Sequence, residues 1–198
     1  IEILLEAGLP PLVISCITGS GASIGNGICS DSRVRKISFT GSKEVGEQIC
    51  AVAGIKKVTL ELGSNSPLIV MPDADLDLVA QLTVASGFAN AGQVCISAQR
   101  MIVLDSVHDA VMDALVPKVE ALVAGNQLQE GSNMGPMVRE SDAARVESWL
   151  SEAANSGAKV LTGGDRDGAL MQPTLLDNVT PDMRIGQEEL FGPAVGVM

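Results

Sequence analysis

The 198-residue chain has no tyrosine, one tryptophan, three phenylalanines and one histidine. With a single imidazole, His108, it cannot build a metal site of the usual histidine-rich kind. Its four cysteines, Cys16, Cys29, Cys50 and Cys95, make no C-x-x-C pair and no zinc spacing. Basic residues are also few: 13 Lys and Arg stand against 24 Asp and Glu, a formal net charge of −11. That balance argues against nucleic acid, whose phosphates require cationic neutralisation. No stretch approaches the roughly 18 apolar residues of a membrane span. Unpaired thiols without a secretory leader pattern imply a reducing, cytoplasmic setting.

What is present is ample apolar material, 46% of the residues, and a length that fits one large domain or parts of two. The chain opens inside an apolar helical pattern, residues 1–7, stopped by Gly8 and Pro10-Pro11. Leu12–Ile17 reads as a buried strand, followed by a glycine-rich turn (Gly19, Gly21, Gly25) and a helix to about Cys29. That turn either approaches a phosphate with its backbone N–H groups or is a tight turn that needs glycine. A second unit repeats the pattern: strand Val34–Phe39, turn Thr40-Gly41-Ser42, helix 43–53. A third strand, Lys57–Leu62, carries Glu61 at its C-terminal end, where open α/β sheets bind ligands. Repeated strand–turn–helix units imply an α/β fold with a parallel sheet and crossover helices.

A domain boundary is expected near Gly63-Ser64, with residues 64–198 forming a second sheet-based domain. There Pro67–Met71 reads as a strand, and Asp73 or Asp75 caps a helix reaching Asn90. Leu78, Leu82, Ala85 and Ala89 follow helical spacing on it. Strand 99–104 precedes a helix capped by Ser106, with Asp109 completing a capping box and Pro117 a kink. Helix 139–155 turns Val146, Trp149, Leu150 and Ala153 inward and stops at Gly157. Short strands follow at 159–161 and 172–176, with a last one starting near Val195. Cys16 and Cys50 sit among apolar residues and read as buried fillers, and His108 reads as a surface residue, which leaves a Cys–His protease without its partner.

Two stretches carry chemistry. Glu61-Leu62-Gly63-Ser64-Asn65-Ser66-Pro67 holds a carboxylate, and Phe88-Ala-Asn-Ala-Gly-Gln-Val-Cys95-Ile-Ser-Ala-Gln-Arg100 holds a thiol among small residues (Ala91, Gly92, Ser97, Ala98) that leave room for a substrate. A thiol nucleophile and a carboxylate to activate water are the minimum for catalysis through a thioester. The two lie 34 residues apart, and Phe39-Thr40-Gly41-Ser42 and Glu188-Glu189-Leu190-Phe191-Gly192-Pro193 flank them in order.

These four motifs resemble the signatures of the NAD(P)-dependent aldehyde dehydrogenase superfamily, and the resemblance runs the length of the chain. It implies the second half of a Rossmann-like cofactor domain over residues 1–63 and the thiol-bearing α/β catalytic domain over 64–198. It implies Cys95 as nucleophile and Glu61 as the base that hydrolyses the thioester. Gly41 and Ser42 would meet the cofactor pyrophosphate, Leu62 would line the cofactor, Glu189 would hold the nicotinamide ribose and Phe191 would pack near the nicotinamide. The cofactor would be NAD or NADP and the substrate a small aldehyde; the full-length family member would be a homo-oligomer, with no metal. The resemblance also implies less than half of a family chain, lacking an upstream asparagine that completes the oxyanion site and an upstream lysine for the ribose, so this segment alone would be inactive.

Within the family, coenzyme A-acylating members typically lack the glutamate, so Glu61 favours carboxylate formation. A different class, a non-catalytic domain that kept the fold, needs neither Cys95 nor Glu61. Gly63-Ser64-Asn65-Ser66 and the loop around Cys95 look like the lactaldehyde and succinate-semialdehyde dehydrogenase branch. Scarce aromatics add a mild preference for a small aliphatic aldehyde.

Overall fold

The computed structural model describes residues 1–198. They fall into two compact units, Ile1–Leu62 and Gly63–Met198.

In the first unit, α1 (Glu2–Glu6) and α2 (Gly21–Ser30) precede β1 (Lys36–Gly41), α3 (Lys43–Ala53) and β2 (Lys57–Leu62). Strands β1 and β2 pair in parallel, with Phe39 opposite Leu60 and Thr40 opposite Glu61. Parallel neighbours need a crossover, and α3 supplies it. Ile37, Ile49, Ala53 and Cys29 form the small core, with Val34, Phe39, Val58 and Leu60 packed on it. The expected strand Leu12–Ile17 does not form. No neighbouring strand takes up its N–H and C=O groups, and Leu12, Val13, Ile14 and Ile17 stay exposed. The expectation that Cys16 and Cys50 are buried also fails. Cys16 lies in that unpaired segment and Cys50 on the outward side of α3, so both are exposed, and Cys29 is the buried one.

The second unit runs β3 (Pro67–Val70), α4 (Leu76–Gly87), β4 (Arg100–Val103), α5 (His108–Glu120), α6 (Glu140–Asn155), β5 (Lys159–Thr162), β6 (Arg166–Asp167), β7 (Leu170–Met171), β8 (Thr174–Asp177), α7 (Arg184–Gln187) and β9 (Ala194–Val197). Five strands make one sheet in the order β3-β4-β9-β8-β5, parallel except for β5 against β8. β9 lies in its middle and is buried at every residue. Val111, Leu115 and Val119 of α5 and Val146, Trp149, Leu150 and Ala153 of α6 pack into the same core, the latter four as helical spacing predicts.

Helix α4 departs from the simple reading of its spacing. Asp75, not Asp73, is its cap, and Asp75 Oδ1 accepts the Leu78 N–H at 3.1 Å. Its buried line is Ala80, Thr83 and Gly87, whereas Leu78, Leu82, Ala85 and Ala89 lie on the exposed side. Both lines have helical spacing; small residues win the inside because the helix packs closely, and a Cβ on Gly87 would overlap Val195 and crowd the Ala98 carbonyl. The capping box at Ser106 is also absent. A 3₁₀ turn at Asp105–Val107 comes first, α5 starts at His108, and Asp109 bonds the His108 ring instead.

Candidate active site

After Phe88 the chain enters a short turn, Ala89–Gly92, in which Asn90, Ala91 and Gly92 have φ of 50°, 54° and 68°. Left-handed backbone costs a non-glycine residue about 1–2 kcal/mol, so two in succession require outside support. Gln93 provides it: its Nε2 donates to the Asn90 carbonyl at 3.0 Å, and its Oε1 accepts the Val138 N–H at 3.0 Å. Gly92 completes the brace, since a Cβ there would overlap the carbonyl of Gly192. The small residues around the thiol therefore serve close packing more than open space: Ala91, Gly92 and Ser97 are all buried.

Cys95 itself is exposed on the loop beyond this turn, with Ile96 exposed next to it. The Ser97 N–H closes the turn on the Val94 carbonyl at 2.9 Å, and Ser97 Oγ donates to the Ser86 carbonyl at 3.1 Å, tying the loop to the end of α4. The carbonyl of Cys95 accepts from Ser64 Oγ at 3.3 Å. The N–H of Cys95 donates to no group of the chain.

Ser64 also meets Glu189. Its N–H donates to Glu189 Oε1 at 3.2 Å, and the same carboxylate covers Gly63 so closely that a Cβ would overlap it. Gly63 thus lets a carboxylate lie flat on the backbone. Phe191 follows with φ of 50°, while Leu190 between them is buried. Glu189 is half-buried, and the neighbouring Glu188 lies in a different setting. Glu188 is exposed and paired with Arg184 at 3.3 Å. Behind this turn Gln99, Arg100 and Asn65 hydrogen-bond the backbones of both loops. All three lie inside the two chemistry-bearing stretches, where residue type alone marks no role for them; a further signal is a polar pair, Gln99-Arg100, leading an apolar strand.

In the first unit, Glu61 is exposed at the C-terminal end of β2. Leu62 is half-buried and packs over Gly46 of α3. Gly41 lies against the Phe39 ring, which leaves no space for a side chain. Ser42 is the N-cap of α3, accepting the Val45 N–H at 3.4 Å. Glu44 follows in the first turn of α3, its carboxyl held below its usual range first by the backbone N–H and then by the nearby Ser42 hydroxyl. An anion at this turn would therefore meet backbone N–H groups beside an acidic residue.

His108 is not a plain surface residue. Its Nε2 lies 2.9 Å from Asp177 and its Nδ1 3.1 Å from Asp109, and both bonds raise its pKa. It lines a surface pocket with Asp105, Asp177 and Met198 that includes none of the motif residues. No cluster of His, Cys, Asp and Glu is arranged to hold a metal.

Parallel α/β units, with an exposed thiol loop braced against a glutamate-bearing loop, define an α/β chain whose candidate site lies on its loops. The chain belongs to the aldehyde dehydrogenase family, whose model matches residues 1–198. It is 47% identical over 196 residues to 3-sulfolactaldehyde dehydrogenase of Priestia aryabhattai, covering 99% of this chain and 41% of that protein. It is 43% identical over 198 residues to the NADP(+) succinate-semialdehyde dehydrogenase GabD of Escherichia coli (strain K12), covering 97% and 41%. The solved NADP-dependent glyceraldehyde-3-phosphate dehydrogenase from Bacillus halodurans C-125, complexed with NADP, superposes with a TM-score of 0.96 at 38% identity, covering 100% of this chain and 41% of that one. The chain thus spans about 41% of the length of these relatives.

Proposed function

We propose that this chain contributes the nucleophile, the hydrolytic base and part of the cofactor site to an NAD(P)-dependent oxidation of a small aliphatic aldehyde to its carboxylate. The observation that carries this reading is the joint placement of an exposed Cys95 and of Glu189 on the single residue Ser64, through its hydroxyl and its N–H. Family membership and relatives named for sulfolactaldehyde and succinate semialdehyde support it.

In this reading residues 1–63 belong to the cofactor domain and 64–198 to the catalytic domain, a division within one residue of the two compact units. Glu189, half-exposed and lying over Gly63, presents oxygen acceptors suited to the two hydroxyls of a ribose. The backbone at Gly41-Ser42 and the first turn of α3 would meet pyrophosphate, with Leu62 and Phe191 as apolar walls. Bound NAD or NADP supplies the hydride acceptor. The sulfur of Cys95 adds to the aldehyde carbon, and the unused Cys95 N–H is a donor for the oxyanion that forms. Loss of hydride leaves a thioester on Cys95. Glu61 removes a proton from the water that cleaves it, releasing the acid and the thiol. The whole protein is read as a cytoplasmic homo-oligomer.

The test is made in the full-length polypeptide that contains this segment. Cys95→Ala abolishes acid formation. Glu61→Gln slows deacylation by about 10²–10⁴-fold, the usual worth of a general base, and leaves an acyl adduct detectable by intact mass. Rapid turnover of Glu61→Gln with no adduct would remove Glu61 from the mechanism.

A further inference from the structure

Gln99, one residue before β4, is 4% exposed, and both ends of its amide are used across long stretches of chain. Its Nε2 donates to the Ser64 carbonyl at 3.0 Å, and its Oε1 accepts the Leu190 N–H at 2.6 Å. Those two backbones hold Glu189 between them, because the Ser64 N–H meets the Glu189 carboxylate and Leu190 is the next residue. Arg100 repeats the bridge one residue on, with Nε to the Asn65 carbonyl at 3.2 Å and Nη1 to the Gly186 carbonyl at 2.9 Å. Asn65 closes it from the other side, its Nδ2 donating to Ile185 at 3.2 Å and Glu188 at 3.0 Å. Neither loop belongs to a strand ladder, so these bonds replace one.

We propose that Gln99 is a positioning residue: it clamps the Ser64 turn to the Glu188–Phe191 loop and so aims the Glu189 carboxylate before any ligand binds. The inference deepens the proposed function, resting on the reading that Glu189 holds the cofactor ribose. A buried amide that satisfies one donor and one acceptor has no apolar substitute, since a leucine of similar size leaves a carbonyl and an N–H unpaired in the interior. Glutamic acid is the informative replacement. Its protonated form can donate to Ser64 and accept from Leu190 as glutamine does, whereas its ionised form faces the Ser64 carbonyl with no proton.

The experiment is amide hydrogen exchange on this chain, read in peptides covering 63–66 and 185–192, with NADP+ binding measured on the intact polypeptide. Gln99→Leu is expected to lower protection of both peptides about tenfold or more, the consequence of leaving buried partners unpaired, while α5 and α6 keep theirs. Gln99→Glu is expected to show the same local loss at about pH 8 and to recover towards wild type at about pH 5, where a buried carboxyl regains its proton. NADP+ affinity falls in Gln99→Leu, and the alkylation rate of Cys95 by iodoacetamide stays within about twofold, a margin well below the cost of a lost hydrogen bond. Unchanged protection, loss spread evenly over residues 63–198, unfolding of both variants, or absence of recovery on acidification overturns the clamp. Unchanged NADP+ affinity in Gln99→Leu, where the wild type binds, also overturns its role in aiming Glu189. A wild type that binds neither NAD+ nor NADP+ refutes the ribose reading of Glu189 instead, and the exchange pattern then decides the clamp by itself.

Discussion

The sharpest structural test is Gly92→Ala. Gly92 has φ of 68° and lies against the backbone of Gly192, so an alanine there meets two separate penalties. The left-handed conformation costs an L residue about 1–2 kcal/mol. Overlap with a carbonyl that cannot rotate away adds about 1–3 kcal/mol of forced backbone shift. The total is about 2–5 kcal/mol. Gly168 separates the two contributions, because its φ of 58° is similar but nothing lies within 4 Å of the point a Cβ would occupy. Gly168→Ala is therefore expected to lose only the conformational part, about 1–2 kcal/mol. At about 2–4 °C per kcal/mol for a chain of this size, the Tm falls by about 4–20 °C in Gly92→Ala and by about 2–8 °C in Gly168→Ala. Trp149, the one tryptophan and part of the second unit's core, reports the melt by fluorescence. Equal losses in the two variants would show that the Gly92–Gly192 contact yields freely, and the account of a braced thiol loop would fall with it.

Other outcomes follow from the same geometry. Gly63→Ala displaces the Glu189 carboxylate from Ser64, and NADP+ titration of the full-length protein should show binding weakened about tenfold, the worth of a charge-assisted hydrogen bond, with no parallel change in Cys95 alkylation. Leu115→Ala, which empties a fully buried site, costs about 2–5 kcal/mol, whereas Leu82→Ala on the exposed side of α4 stays within about 0.5 kcal/mol; denaturant midpoints compare them. His108 has its folded pKa raised, first by the Asp177 bond and then by Asp109. Its contribution to stability is therefore complete below its unfolded pKa and is lost as pH rises through the folded one. Melts across that interval should decline in the wild type and flatten in His108→Gln; parallel profiles would disprove the linkage.

The strand–turn–helix unit beginning at Val34 and the strand after it were legible because they couple short apolar runs to a helical pattern, and parallel pairing is the arrangement that such alternation allows. The inward face of α6 was legible because its polar side is strongly charged. Helix α4 was not, because it is apolar on most sides and two rows of equal spacing compete for the core. Leu12–Ile17 shows a different limit: β-forming residues describe a willingness to pair, and a strand exists only where a neighbour accepts its hydrogen bonds. At the candidate site the motifs drew attention to Cys95, Glu61 and Glu189, whose residue types carry chemistry. The same motifs contain Gln99 and Asn65 without marking their role, because a side chain that bonds distant backbone leaves no periodic trace in sequence.

That blind spot has a physical basis. Of the five non-glycine residues with positive φ, Asn90, Ala91 and Phe191 lie in the two loops that meet at Gly92 and Gly192. Each would relax towards ordinary backbone if its loop were released, and released loops would carry Cys95 and Glu189 with them. Secondary structure cannot restrain them, since ladder and helix bonds impose the regular dihedrals these residues avoid. Side chains reaching backbone from outside can, because they fix positions of N–H and C=O groups without dictating φ and ψ. Gln93 does so for the thiol loop, and Gln99, Arg100 and Asn65 do so for the glutamate loop and the Ser64 turn. All four are polar side chains with planar hydrogen-bonding ends, and two of them flank Cys95 within four residues on either side. The thiol segment thus carries its own supports, which is why a stretch this irregular can be held in one geometry.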